Sequence, residues 1–293
     1  MHTGFTIEHP ETLIEALELL ATEDPMVRPL AGGTGLTVLM KYDFLRPSTL
    51  VNLGRITPET SGLTPLDDGG FKLGAMATLR DLEQSEQLVG AFPIVGQALS
   101  VLASTRVRNV AQLGGALAHA HPQMDLPPVL LALGARVLAR SLRGDRWIEV
   151  DDLFVGYYET SLRSDELIIE VELPPLGRHR GTYRKVTERT ADDWPMLGVA
   201  AVASFDDGSM KRLRVALGAL GDRPMRLHQL ESALDDGPQS ADSIRDAVGE
   251  VVQTLGFRDG PYASAAYRRQ LVSVHLRRAL EDLIVDDVTG AAS

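Results

Sequence analysis

The chain contains no cysteine. That excludes disulfides, and it excludes an iron–sulfur cluster held by thiolates of this polypeptide. No apolar stretch approaches the roughly eighteen residues of a membrane-spanning helix, so no membrane insertion is expected. His2-Thr3-Gly4-Phe5 lacks a basic region leading into an apolar block, so no signal peptide is expected and the reading is cytoplasmic. Positive charge is also short. Lys and Arg number 29 against 40 Asp and Glu, and the formal charge of −11 argues against nucleic acid or an anionic membrane as partner. Familiar signatures are missing too. There is no GxxxxGK[ST], no GxSxG and no HExxH, so P-loop, serine-hydrolase and zincin chemistry have no support. Gly33-x-Gly35 could open a Rossmann fingerprint, but Val38 stands at the third glycine position. Val51-Asn52-Leu53 stands where the acidic residue would follow.

What is present is an ordinary globular composition, 293 residues with 44% hydrophobic, enough for a sizeable core and two domains. The organising stretch is 105–128, TRVRNVAQLGGALAHAHPQMDLPP. Before it, Leu88, Phe92, Val95, Leu99 and Leu102 recur at helical spacing and predict one long amphipathic helix. After it another helix begins, with Asp125 in the cap position and Pro127 and Pro128 in the first turn. The segment between reads as a loop rich in Gly, Ala, Asn, Gln and His. Gly114-Gly115 would let its backbone come close to a ligand.

A second glycine-rich turn, Leu30-Ala31-Gly32-Gly33-Thr34-Gly35-Leu36, lies upstream. It follows an extended run over Val27–Leu30 and leads into a helical run over Leu36–Lys41. Free N–H groups at such a turn favour an anion, usually phosphate. One turn of this kind could be a plain tight turn. Two suggest the two halves of one ligand, such as the pyrophosphate of a dinucleotide.

Residues 1–57 read as a small α/β unit, with a helix carrying Leu13, Leu17 and Leu20 and a buried strand over 50–53. Residues 58–177 carry a hairpin-like run at 71–73, the long helix, the central loop and strands near 135–139 and 147–150. Pro174-Pro175-Leu176-Gly177 mark a boundary. Beyond it come strand-like runs at 183–187, 197–205 and 213–217, then helices near 226–235, 241–255 and 263–284. The last helix shows Tyr267, Leu271, Val274 and Leu280 on one face, with Arg268, Arg269, Arg277 and Arg278 outside it. Strands followed by helices imply α+β packing.

The runs LAGGTGLTVLMK, LVNL, TRVRNVAQLGGALAHAHPQMDLPPVLLALGARV and YYETSLRSDELIIEVELPP, in this order, resemble the FAD-binding medium subunit of molybdenum hydroxylases. That family includes bacterial carbon monoxide dehydrogenase, nicotine and caffeine dehydrogenases, and the flavin domain of xanthine dehydrogenase. The likeness covers essentially the whole chain. It implies an α+β fold: a two-subdomain FAD-binding domain of the vanillyl-alcohol-oxidase/PCMH type over 1–177, then a C-terminal α+β domain with a three-stranded sheet over 178–293. FAD would lie between subdomains 1–57 and 58–177. The implied function is electron transfer. A molybdopterin-binding large subunit oxidises a small substrate, a small [2Fe–2S] subunit relays the electrons, and the FAD held here delivers them to an external acceptor. The partners would form a hetero-oligomer, and no catalytic residue is assigned to this chain.

The resemblance also assigns cofactor-binding residues. Leu30, Ala31, Gly32, Gly33, Thr34, Gly35 and Leu36 would cradle one side of the pyrophosphate; Gly35 stands where relatives usually carry Asp, Ser or Asn. Gln112, Leu113, Gly114, Gly115 and Ala116 occupy the position of a Thr/Ser-Ile-Gly-Gly-Asn run, with Gln for the hydroxyl and Ala for the amide. Asp125 matches an acidic residue that binds the adenosine half, while the residue-level alternative is a helix N-cap. Ile168 matches an apolar residue whose backbone meets the adenine side, against a plain buried strand residue. Lys185 matches a lysine near the isoalloxazine ring, where a cation would stabilise an anionic reduced flavin, against a solvated strand lysine. Trp194 stands beside the ring in relatives and could stack on it or shield it, against a packing role.

His119-Ala120-His121 with Asp125 has the composition of a two-histidine, one-carboxylate metal site. Histidines at i and i+2 share a face only on a strand, so no metal is expected, and His121 is left without a role. Two other classes stay open: a stand-alone FAD-dependent oxidoreductase on the same fold, and a scaffold subunit that has lost FAD through Gly35, Gln112 and Ala116.

Overall fold

The computed structural model describes residues 4–22, 24–56, 60–206, 209–235, 239–260 and 263–289. Strand β1 (Thr6–Glu8) is followed by helix α1 (Leu13–Leu20), β2 (Val27–Leu30), helix α2 (Leu36–Lys41) and β3 (Thr49–Asn52). The three strands are parallel in the order β1-β3-β2. Thr12 caps α1 by accepting the Glu15 N–H, and Leu13, Ala16, Leu17 and Leu20 are buried against Val51, Leu53 and Ile56. That is the face predicted from the spacing.

Next come β4 (Leu63–Pro65), β5 (Phe71–Gly74) and helices α3 (Leu79–Gln84), α4 (Glu86–Ala91) and α5 (Pro93–Val101). The single long helix expected here is broken. Pro93 sits in the first turn of α5 behind a non-helical Phe92, because a proline inside a helix removes one hydrogen bond and clashes with the turn before it. The expected loop also gains structure, as helices α6 (Thr105–Arg108) and α7 (Leu113–His119). Ser104 caps α6 by accepting the Val107 N–H, and Ala120 ends α7 in the left-handed region at φ 48. Helix α8 (Leu126–Leu133) is buried along all eight residues. It stops at Gly134, whose φ of 70 suits glycine.

Strands β6 (Arg136–Ser141) and β7 (Gly144–Glu149), helix α9 (Val150–Leu153), the small β8 (Phe154–Gly156) and β9 (Glu159–Thr160) pair, and β10 (Leu167–Leu173) complete this part. They build a five-stranded antiparallel sheet in the order β4-β5-β10-β6-β7.

The C-terminal part holds β11 (His179–Val186), β12 (Leu197–Asp206), β13 (Ser209–Gly218) and β14 (Met225–Arg226) in an antiparallel sheet of that order. The two-residue β14 extends the three predicted strands. Helices α10 (His228–Asp235), α11 (Ala241–Thr254) and α12 (Ala265–Thr289) follow. Val199 and Ala201 of β12 and Val215 and Leu217 of β13 share a core with Leu230, Ile244, Val248, Leu276 and Leu280. On α12 the buried stripe is Val272, Leu276, Ala279, Leu280 and Leu283, whereas Tyr267 is 51% exposed. The predicted stripe is therefore corrected: packing on the sheet and on α11, not the first apolar residue, sets the face of this helix.

The chain forms two compact units that interleave along the sequence. One runs to Leu88 and adds Ser104–Ala120 and Ala135–Pro174. The other takes Val89–Ala103, His121–Gly134 and the residues from Pro175 onward. Among the described residues no helix is long and apolar enough to cross a membrane.

Candidate cofactor site

In the first unit the two glycine-rich segments touch each other. A Cβ on Gly32 would lie 2.0 Å from the Val110 carbonyl oxygen, and one on Gly115 would lie 2.9 Å from the Ala31 Cβ. A Cβ on Gly35 would meet His119 Nε2 at 2.7 Å. Gly33 has φ 69, which a side chain would strain. The glycines therefore do more than admit a ligand: they let one backbone segment lie against the other. The turn is closed by Thr37, whose N–H and hydroxyl both donate to the Gly33 carbonyl at 3.0 and 2.7 Å.

Donor accounting separates the two segments. Leu79 N–H bonds Ala111 O at 2.8 Å, Leu113 N–H bonds Ala77 O at 3.0 Å and Gly114 N–H bonds Ala75 O at 2.7 Å. Gln112 gives its side-chain amide to Met76 O at 3.1 Å. Residues 111–114 are thus a strand-like stitch: the N–H groups of Leu113 and Gly114 are spent on 75–77, and that of Ala111 on Val107 O at 2.8 Å. By contrast, among the described residues the N–H groups of Gly32, Gly33, Thr34, Gly35 and Gly115 donate to no group of the chain. Unspent backbone donors on two touching, glycine-rich segments suit a phosphate oxygen, so these residues fit the pyrophosphate of a dinucleotide. His119 lies at the same place, its ring edge-on to Tyr158 at 5.1 Å. Burial lowers its pKa and leaves the imidazole neutral. Ile168, in the same unit, is a buried residue of β10 opposite Ala139, beside a register shift.

In the second unit Asp125 and Lys185 come together, and both residue-level alternatives for them are corrected. Asp125 precedes α8 but has helical φ and ψ and makes no cap hydrogen bond. Its carboxylate instead accepts from the Tyr183 hydroxyl at 2.7 Å and from Lys185 Nζ at 3.2 Å. Lys185 is no solvated strand residue: its side chain is 5% exposed and Nζ also donates to Val101 O at 2.7 Å. Burial raises the Asp125 carboxyl above the usual aspartate range, while Lys185 and Tyr183 oppose the rise. Burial and the neighbouring carboxylate push the Tyr183 hydroxyl well up. Tyr183 was missed from the sequence, as was Gln97, whose amide oxygen accepts the Tyr183 N–H at 2.8 Å. The available signal was the i, i+2 spacing of Tyr183 and Lys185, which puts both on one face of β11.

Trp194 is 56% exposed, and one face of its indole is covered by His121, centroid to centroid 4.1 Å. Gln123 N–H donates to His121 Nδ1 at 3.0 Å, and the Gln123 amide donates to Pro195 O at 3.1 Å. His121 therefore carries its proton on Nε2 when neutral. His119 meets Gly35 and Tyr158, His121 meets Trp194, and Asp125 meets Tyr183 and Lys185; among the described residues no group of three or more His, Cys, Asp or Glu is placed to hold a metal ion.

Comparison with known proteins fits this geometry. Residues 3–176 match the family described as the FAD binding domain in molybdopterin dehydrogenase, and 182–283 match the CO dehydrogenase flavoprotein C-terminal domain. The chain is 32% identical to the nicotine 6-hydroxylase medium subunit of Paenarthrobacter nicotinovorans, covering 92% of this chain and 94% of that one. It is 28% identical to the glyceraldehyde dehydrogenase medium chain of Sulfolobus acidocaldarius over 95% and 98%. A chain of carbon monoxide dehydrogenase from Hydrogenophaga pseudoflava superposes with a TM-score of 0.91 at 26% identity, covering 97% and 98%. With the first match spanning residues 3–176 of 293, the chain belongs to the FAD-binding family of molybdopterin dehydrogenases and is the flavoprotein subunit of an oxidoreductase.

Proposed function

We propose that this chain is the electron-transfer subunit of a cytoplasmic molybdenum hydroxylase. It would receive electrons from [2Fe–2S] clusters of a small partner subunit, downstream of a molybdopterin-binding large subunit, and deliver them to an external acceptor. The observation that carries the reading is the pair of touching glycine-rich segments with unspent N–H donors at Gly32, Gly33, Thr34, Gly35 and Gly115.

Bound FAD would supply the redox chemistry, accepting and releasing electrons that no side chain of this protein can carry. The chain's own residues bind and orient it. Leu30–Leu36 and 112–116 hold the pyrophosphate side, the first segment through its donors and the second through Gly115 and its stitch to 75–79. Asp125 and Ile168 take the contacts with the adenosine half. Lys185 acts through the Asp125 carboxylate that it holds, and Trp194 shields the ring system.

The test is direct. The purified full chain should take up one FAD without a covalent link, and acid or heat should release it intact. Flavin that stays with the denatured chain overturns the non-covalent reading, and a chain that takes up no added FAD is a scaffold. Co-expression with genomic neighbours, then anaerobic addition of the large subunit's substrate, should bleach the flavin only in the assembled complex. Turnover of a small substrate by the isolated chain would make it a stand-alone flavoenzyme.

A further inference from the structure

Trp194 sits in the loop between β11 and β12, is 56% exposed, and has one face of its indole covered by His121. An indole that served only to pack would be covered on both faces. The loop that carries it is held. The Met196 N–H donates to Val186 O at 2.7 Å across the base of the loop. Asp193 N–H donates to Thr190 O, and Thr190 N–H to Asp193 Oδ2, both at 3.1 Å, which closes a turn just before the indole. The side chain is thus presented from a tied backbone.

The segment behind it is pinned along its length. His121 lies 4.1 Å from the indole and within 17° of parallel, and its Nδ1 accepts the Gln123 N–H at 3.0 Å, which fixes the plane of the imidazole. The Pro122 carbonyl accepts the Ala219 N–H at 3.2 Å. The Gln123 amide donates to Pro195 O at 3.1 Å, beside the indole itself. Asp125 is held by Tyr183 and Lys185. Residues 121–125 therefore support the indole at one end and carry, at the other, the carboxylate assigned above to the adenosine half. A branched aliphatic side chain at position 121 would fill the space behind the indole but leave its tilt free. A flat ring sets that tilt.

Resting on the function proposed above, we infer that His121 is a positioning residue for the flavin. It holds the Trp194 indole in one plane, so that the bare face of the indole stacks on the isoalloxazine of FAD. The order is imidazole, indole, isoalloxazine, and His121 acts on the cofactor only through Trp194.

The experiment titrates FAD into the full chain and reads the dissociation constant together with the fluorescence of the bound flavin, which a stacked indole quenches. Trp194→Leu should brighten the bound flavin and so identify the indole as its quencher. His121→Ala should brighten it in the same direction but less, and weaken binding about two- to tenfold, the worth of one aromatic contact. His121→Phe, which restores a flat ring, should return both readings toward wild type. His121→Leu, which restores only volume, should not. In the double variant His121→Ala/Trp194→Leu, the first change should add nothing to the second, because it acts through the indole. Bound flavin as dark in His121→Ala as in wild type overturns the inference alone, and so does equal rescue by Leu and Phe. Unchanged fluorescence in Trp194→Leu takes the indole off the ring and overturns it too. If the His121 variants fail to fold, Gln123→Ala decides: it cuts only the tie to Pro195 O and should brighten the flavin, and no change overturns the inference. A wild-type chain that takes up no FAD overturns the function itself.

Discussion

His121 and Trp194 lie face to face, with ring centroids 4.1 Å apart and planes 17° from parallel. The stack joins the turn after α7 to the loop between β11 and β12, and the Gln123 amide bonded to Pro195 O makes a second tie. A histidine without a derivable role in the sequence thus becomes the stacking partner of a half-exposed indole.

Removing the imidazole should expose that indole. In a Trp147→Phe background, which leaves Trp194 as the single tryptophan, His121→Ala should increase acrylamide quenching and red-shift the emission excited at the indole band. Stability should fall by only about 1 kcal/mol, the size of an aromatic pair. Unchanged quenching would mean that the stack does not persist in solution.

The Asp125–Lys185 pair makes a pH-dependent prediction. Lys185→Met leaves a buried carboxylate without its cation, at a cost of roughly 3–5 kcal/mol near neutral pH. The folded-state pKa of Asp125 is raised by burial. Its contribution to stability is therefore full below the unfolded-state pKa and lost as pH rises through the folded-state value. Without Lys185 the pKa rises further, so the deficit of Lys185→Met should be small in acid and grow toward neutral pH. Urea unfolding across a pH series measures it. Tyr183→Phe should cost less, about 1–3 kcal/mol, because Lys185 still holds the carboxylate.

The glycines of the cradle should separate by what they face. Gly32→Ala drives a methyl into the Val110 carbonyl, a backbone atom that no rotamer can move, so a loss of more than about 4 kcal/mol and poor soluble yield are expected. Gly115→Ala meets only the Ala31 methyl at 2.9 Å. It should fold with near-normal circular dichroism and a displaced first segment, seen as weaker FAD binding. Equal behaviour of the two variants would show that the contact between the segments does not distinguish them.

One change should help. Gly249 lies inside α11, and a Cβ there meets nothing within 4 Å. Gly249→Ala should stabilise the chain by about 0.5–1 kcal/mol through helix propensity, read as a higher melting temperature.

The periodic elements were legible. The buried face of α1 follows from its apolar spacing, and the ends of β2 and α2 from the glycine-rich turn that separates them, although neither of those two elements has a buried residue. The FAD-binding family was legible from the order of its short runs. What escaped depends on residues far apart in sequence. That a side chain at Gly35 would meet His119 cannot be read from either residue alone, because the segments meet only in the fold. Asp125 reads as a cap from its neighbours, and only Tyr183 and Lys185, many residues away, take its carboxylate elsewhere. The break at Pro93 was readable from proline chemistry, but the apolar spacing across it outweighed that signal. The buried stripe of α12 required knowing that the helix packs on both a sheet and another helix.

The interleaving of the units has a consequence for how this polypeptide can be divided. Helices α5 and α8 lie early in the chain yet pack on β11 and on β12 and β13, and every residue of α8 is buried. A single cleavage near residue 177 would leave one fragment with an apolar helix lacking its sheet, and the other with a sheet face stripped of its cover. Neither piece should be soluble alone, while the two expressed together could reassemble by complementation. Gene fusion, shuffling or domain grafting should therefore treat the stretches 3–176 and 182–283 as one indivisible module.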